Sequence, residues 1–232
     1  MMNESFSPGS EAGAPLSNDA AITLVPAEMM PEHNAKCRQI FDGARQVFLA
    51  EGFDGASMND IARAAGVSKG TLYVYFASKE ALFEALIRYD RSRQAEQLCQ
   101  FDANDHNVRS VLVRFGTLLA QTMTQPNHIA HTRTVMGVVP KFPQIGRAFY
   151  EAGPMIALQR LASYLEAQSR SGVLLDIGDT ELAAQQFVEL CKASNYTKLM
   201  LGMMEQPTLA DIQTGIGKAM DAFFKIYPLA AQ

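Results

Sequence analysis

The sequence predicts an all-α protein, with a three-helix unit containing a helix-turn-helix near its N-terminus and a larger helical domain behind it. Three observations carry this. From His33 onward, apolar residues recur at three- and four-residue steps, the period of an amphipathic helix, with almost no strand-like alternation. Pro126, Pro140, Pro143 and Pro207 break that pattern, and Gly172 and Gly202 sit where helix C-terminal stops belong. Two short helical stretches also meet at Gly66, a residue suited to a sharp inter-helix turn.

Residues 1–32 are rich in Ser, Gly, Pro and Ala and carry Glu4, Glu11, Asp19, Glu28 and Glu32 with no Lys or Arg. They read as a disordered acidic tail, because so little apolar surface cannot offset the entropy of ordering. Cys37, Ile40, Phe41, Ala44, Val47 and Phe48 then form one apolar face, and Gly52 ends that helix. Ser57 and Asp60 make a capping-box-like start to a short helix reaching about Ala65. Ser68 is placed to cap a second short helix, and Ser78 with Glu80 opens a longer one to about Cys99. Further helices are expected over 105–124, 127–138, 147–171, 179–201 and 208–226. The expected division is a tail (1–32), a helix-turn-helix domain (33–93) and a larger helical domain (94–232).

Composition narrows the function classes. The 232 residues are 48% hydrophobic, enough for a real core, and no apolar run approaches the roughly 18 residues of a membrane span. No basic start precedes an apolar stretch, since the first Lys or Arg is Lys36, so no secretory signal is read. Cys37, Cys99 and Cys191 match neither a disulfide framework nor a zinc spacing, which points to a reducing cytoplasm. His106, His128 and His131 have no acidic or Cys partner at ligand spacing, so no metal or other cofactor is expected. The net charge of −4 is unevenly spread: residues 33–93 hold nine Lys/Arg against seven Asp/Glu, and the chain without its tail is at +1. A weakly charged body still binds DNA when its few cations face the phosphates.

The informative stretch runs from Ser57 to Phe76 (SMNDIARAAGVSKGTLYVYF). Ile61, Ala62, Ala65, Val67 and Leu72 supply the small or apolar contacts that two helices meeting at a wide angle require. The second helix then projects Lys69, Thr71, Tyr73 and Tyr75 outward: a cation, a hydroxyl and two phenols, groups that contact phosphates and base edges. Tyr73 and Tyr75 also have a reading as half-buried core tyrosines, and Lys79 as a helix-start partner of Glu80.

At these residues the sequence resembles the TetR family of bacterial regulators. The resemblance rests on the I-A-x-x-A-G-V-S-x-G-T-L-Y-x-Y-F run, on S-K-E-x-L-F at 78–83 and on F-x-x-x-G-F at 48–53, and it covers about 33–93. It implies that Ser68, Lys69, Gly70, Thr71, Tyr73 and Tyr75 contact DNA, and that Ser57 and Lys79 grip phosphate. It also implies a homodimer on a double-stranded operator, acting as a repressor released by a small-molecule effector. Phe142-Pro143, Phe149 to Pro154 and Gly172 to Asp176 resemble one effector-domain subgroup.

Two apolar stripes close the chain. Ala183, Phe187, Leu190, Ser194, Thr197 and Leu201 form one; Leu209, Ile212, Ile216, Met220, Phe223 and Tyr227 form the other. Each serves either an internal core or a subunit seam, and two adjacent terminal stripes this apolar point at least partly to a seam through Phe187, Leu190, Ser194, Leu201, Ile212, Ile216, Met220 and Phe223. The abundance of Met, Leu, Val and Phe over 105–201 predicts a largely apolar effector, with Met136, Phe142 and Met155 as lining and Tyr150, Gln159 and Asn195 as placed polar groups. A charged effector would need a buried counter-ion, for which Arg133, Lys141 and Arg147 are the sequence candidates. A helical enzyme is the competing class, but G-x-S-x-G, a phosphate-binding glycine loop and H-E-x-x-H are all missing. An interaction module without DNA binding is a third, against which Lys69, Thr71 and Tyr73 argue.

Overall fold

A computed structural model of the chain describes Pro31 and residues 34–175 and 177–230. The expected acidic tail therefore lies, apart from Pro31, outside the described residues. Among the described residues ten helices follow one another: α1 (Ala35–Gly55), α2 (Met58–Ala64), α3 (Lys69–Tyr75), α4 (Lys79–Leu98), α5 (Val108–Met123), α6 (Pro126–Val138), α7 (Pro143–Ala152), α8 (Pro154–Arg170), α9 (Thr180–Met200) and α10 (Leu209–Ile226). Among the described residues the extended contact is an isolated antiparallel bridge between Leu174 and Leu229, which straps the C-terminus onto the α8–α9 connection.

Side-chain caps set the helix starts. Asn34, Ser57, Ser68, Ser78, Asn107, Asp179 and Thr208 each accept a hydrogen bond from a backbone N–H of the first turn, satisfying donors that have no intrahelical partner. Pro126 and Pro143 instead occupy N1, where a missing N–H costs nothing. One expectation is corrected. The single helix read over 147–171 is two, because Pro154 cannot donate to a continuing ladder and Gly153 leaves helical geometry at φ −122°, ψ −87°.

Two apolar clusters organise the helices. The first joins α1–α4 around Ile40, Phe41, Ile61, Leu72 and Leu82, and it also takes in Val135, Val138 and Ile145 from α6 and α7. The second joins α5, α8, α9 and α10 around Leu112, Leu161, Leu165, Phe187, Met220 and Phe223. The long helix α4 connects the two. Arg45 on α1 forks onto Asp90 of α4 with 3.1 and 2.7 Å bonds. Arg88 of α4 pairs with Glu151 of α7 at 3.3 Å. No helix among the described residues is long and apolar enough to cross a membrane.

Candidate nucleic-acid interface

The site is built on α2, the turn after it, and α3. Gly66 takes φ +63° in that turn, a left-handed conformation that a side chain disfavours, and Val67 N–H bonds back to Ala62 C=O at 3.0 Å. The turn is pressed against α1 at Gly43, where a Cβ would fall 2.5 Å from the Ala65 nitrogen. Ile61 and Leu72 are fully buried and Phe76 nearly so, which fixes the roll of α3 and leaves its other face in solvent. Ser57 starts α2 by accepting from Asp60 N–H and bonding the Asp60 carboxylate. Asp60 also holds the exposed Arg63.

On the outer face of α3, Lys69, Gly70, Tyr73 and Val74 are exposed. The Lys69 ammonium lies 5.9 Å from the Tyr73 ring centroid, so cation and phenol point the same way. Ser68 caps the helix through Thr71 N–H at 3.0 Å, and the two hydroxyls are 2.8 Å apart. Ser68, Lys69, Gly70, Thr71 and Tyr73 thus lie together on one short element, with the exposed Val74 beside them.

Three of the expected contacts sit differently. Tyr75 is half-buried and packs on the first core, with its hydroxyl donating to Asn34 Oδ1 at 3.3 Å, so it ties the end of α3 to the start of α1. The Lys79 ammonium turns inward, donating to Phe53 C=O at 2.6 Å and Ala56 C=O at 2.9 Å and lying 4.5 Å from the Phe53 ring centroid. These carbonyls are left over where α1 ends, so Lys79 acts as a latch between α4 and the α1–α2 link. Ser57 is a half-buried cap already bonded to Asp60. Sequence reasoning also missed Lys36, an exposed cation in the first turn of α1 beside the Asn34–Tyr75 contact.

The expected effector residues do not converge. Met136, Tyr150 and Gln159 are exposed on α6, α7 and α8. Phe142 packs edge-on against Phe53 at 5.7 Å, joining the first core instead, and Met155 is half-buried near the start of α8. Asn195 alone of the six lies on the wall of a cavity, which also involves Leu119, Met123, Cys191, Tyr196, Pro207 and Ile212 and measures about 40 Å³. Volumes of roughly 300–1,000 Å³ are usual for ligand sites, well above that of this cavity.

Five of the expected seam residues are taken up inside the protomer instead. Phe187, Ile212, Ile216, Met220 and Phe223 are buried inside the protomer, packed in the second core against α5 and α8, and Leu190 leans on the same core. Leu201 is exposed, and the Ser194 side chain lies outside the described residues. The exposed face of α10 is the opposite one, carrying Ala210, Gln213, Thr214, Gly217 and Asp221.

Residues 40–86 match the family described as bacterial regulatory proteins, tetR family, and residues 110–228, about half of the chain, match the AefR-like transcriptional repressor C-terminal domain. Among curated proteins, the HTH-type transcriptional repressor Rv1474c of Mycobacterium tuberculosis is 44% identical over 61 residues, covering 26% of this chain and 33% of that protein. The match therefore spans about a third of that curated relative. Among solved structures, a TetR-family transcriptional regulator from Mesorhizobium loti superimposes with a TM-score of 0.74 at 24% identity over 83% of this chain and 96% of that one. The flavonoid-responsive regulator FrrA superimposes with a TM-score of 0.72 at 33% identity over 83% of this chain and 97% of its own. A capped helix-turn-helix, a second helical domain and these matches lead to one conclusion: the chain belongs to the TetR family of bacterial transcriptional regulators.

Proposed function

We propose that the protein is a dimeric repressor that binds a double-stranded operator through α3 and leaves it when a small, largely apolar effector enters the helical domain. The observation that carries DNA binding is the exposed Lys69–Tyr73 face on a helix anchored from its other side by the buried Leu72 and Phe76. Ser68 and Thr71 add hydroxyls to the same surface, and Lys36 extends it toward the phosphates. In a dimer, two such helices reach successive major grooves when held roughly 34–36 Å apart. An effector that favours another spacing weakens DNA binding by a coupling free energy of about 1–3 kcal/mol.

The lever is α4. It starts immediately after α3, carries the Lys79 latch, and is pinned to α1 by Arg45–Asp90 and to α7 by Arg88–Glu151. The second subunit meets the outward face of α9 and α10, where small residues at Ala210, Thr214 and Gly217 permit close helix approach. A flavonoid-responsive relative makes aromatic, mostly apolar compounds sensible first effectors to try. The test is a mobility shift with DNA from upstream of the protein's own gene, alone and with such compounds. Retardation of that DNA and not of a scrambled sequence supports the reading. Equal retardation of both refutes it.

A further inference from the structure

We propose that Arg91 seats an anionic group of the effector, so that the natural ligand is a small apolar molecule carrying a carboxylate. This rests on the effector reading above and narrows it.

Arg91 lies in the middle of α4 and is 5% exposed, yet it forms no ion pair among the described residues. The groups that its guanidinium touches are neutral, and the Asp90 carboxylate beside it supports its charge only from beyond ion-pair distance. Nη1 donates to Gln94 Oε1 of α4 at 2.7 Å and faces His128 Nδ1 of α6 at 3.0 Å. The guanidinium carbon lies 4.5 Å from the Phe149 ring centroid of α7, and the side-chain stem runs along Gly153. Nε is buried without a hydrogen-bond acceptor among the described residues. The adjacent carboxylate, Asp90, is engaged in both bonds of the Arg45 fork.

A cation buried without a counter-charge is strongly disfavoured, and a guanidinium is the group least able to escape by losing its proton. Burial of Arg91 is accordingly the main influence lowering its pKa. A planar carboxylate is what the fork geometry of Arg is shaped to receive. One ring contact links the arrangement to the cavity wall. The His128 ring meets Tyr196 of α9 at 6.4 Å, and Tyr196 lies on the cavity wall with Met123 and Leu119. A ligand with its carboxylate at Arg91 would run its apolar part past Tyr196 toward α5 and α10. The wall can yield at Ala193, a non-glycine residue at φ +43° that interrupts α9 beside Tyr196 and stores backbone strain. Because Arg91 sits on α4, drawing its guanidinium away from His128 and Phe149 would shift the lever that ends at α3.

The experiment is a thermal-shift and DNA-release comparison of decanoate, 3-phenylpropionate and 2-naphthoate, each beside its primary amide, on the full chain and on Arg91→Met. The expected result is that at least one carboxylate raises the melting temperature and releases DNA. Its amide does neither, and Arg91→Met binds that carboxylate roughly 10- to 100-fold more weakly, as loss of a charge-assisted contact implies. Arg91→Met itself should melt higher than the parent without ligand, since an apolar stem replaces an unpaired buried charge. Amides acting as well as acids on the parent chain would overturn the proposal while leaving the effector reading standing, and that comparison needs no variant to fold. Equal carboxylate binding by Arg91→Met would overturn it in the same way. If no acid or amide has any effect, both this proposal and the apolar-effector reading fail.

Discussion

Lys69 and Lys79 stand ten residues apart on successive helices, and their surroundings give them opposite tasks. Lys69 is exposed beside Tyr73 and has no competing acceptor among the described residues, so Lys69→Ala should lower the slope of log affinity against log salt by about 1, as loss of one phosphate contact requires. Binding titrations at four salt concentrations read this, and an unchanged slope with altered base preference would mean that Lys69 reads bases. Lys79 bonds two backbone carbonyls, so Lys79→Met should cost about 1–3 kcal/mol in urea unfolding while leaving the salt slope alone. The sequence placed both cations near the right surface, but the carbonyls that draw Lys79 inward come from residues 53 and 56, and no local pattern announces them. The same holds for the buried counter-ion. Arg133, Lys141 and Arg147 looked available, yet Arg133 caps the end of α9 through Leu199 and Met200 C=O, Lys141 reaches Asp54, and Arg147 is exposed. Arg91 takes the buried place instead because α7 and α6 close over it. Beside it, burial first and the Arg91 charge second push His128 down to about 3. Between about pH 3 and 6.5 the unfolded chain then binds a proton that the folded chain refuses, so stability falls as pH drops through that window. Urea midpoints from pH 7 to 4.5 should fall less steeply for His128→Asn than for the parent chain, and parallel curves would contradict the assignment.

At the scale of elements, most of the helical plan was legible because caps and breakers are local. Asn107, Asp179 and Thr208 begin helices within a few residues of where periodicity places them, and Pro126 and Pro143 occupy N1 positions. The Gly153–Pro154 break was visible as residues but was outweighed by the apolar period on either side. What periodicity leaves open is which neighbour covers a stripe. Ile212, Ile216, Met220 and Phe223 do share one face of α10, and that face is taken by the protomer's own α5 and α9. Phe223→Asp should accordingly unfold the helical domain, because it buries an unpaired charge in the core. Gly217→Arg, on the exposed face, should keep the melting temperature within a few degrees and convert a dimer to a monomer. Light scattering with circular dichroism separates these outcomes. A folded dimeric Phe223→Asp, or a dimeric Gly217→Arg, would return the seam to the other face or to other helices.

For the molecule as a whole, the two apolar clusters do not coincide with the two expected halves of the chain. Val135, Val138 and Ile145 belong by sequence to the second region but complete the core that seats the helix-turn-helix, and Phe142 closes over Phe53. Any rearrangement of α6 and α7 is therefore felt at α1, and through Gly43 at the turn that sets α3. That interlock, together with α4, is a physical path from the helical domain to the outer surface of α3, and it was not legible because it depends on contacts some 90 residues apart. DNA recognition through α3 is best probed by fluorescence anisotropy of a labelled duplex from upstream of the protein's own gene, titrated with the parent chain and with Lys69→Ala/Tyr73→Ala. The parent should bind tightly in a way that a scrambled duplex does not share, and the double variant should lose that preference with its melting temperature unchanged. A double variant that folds normally and binds the upstream duplex as tightly as the parent would contradict recognition through α3.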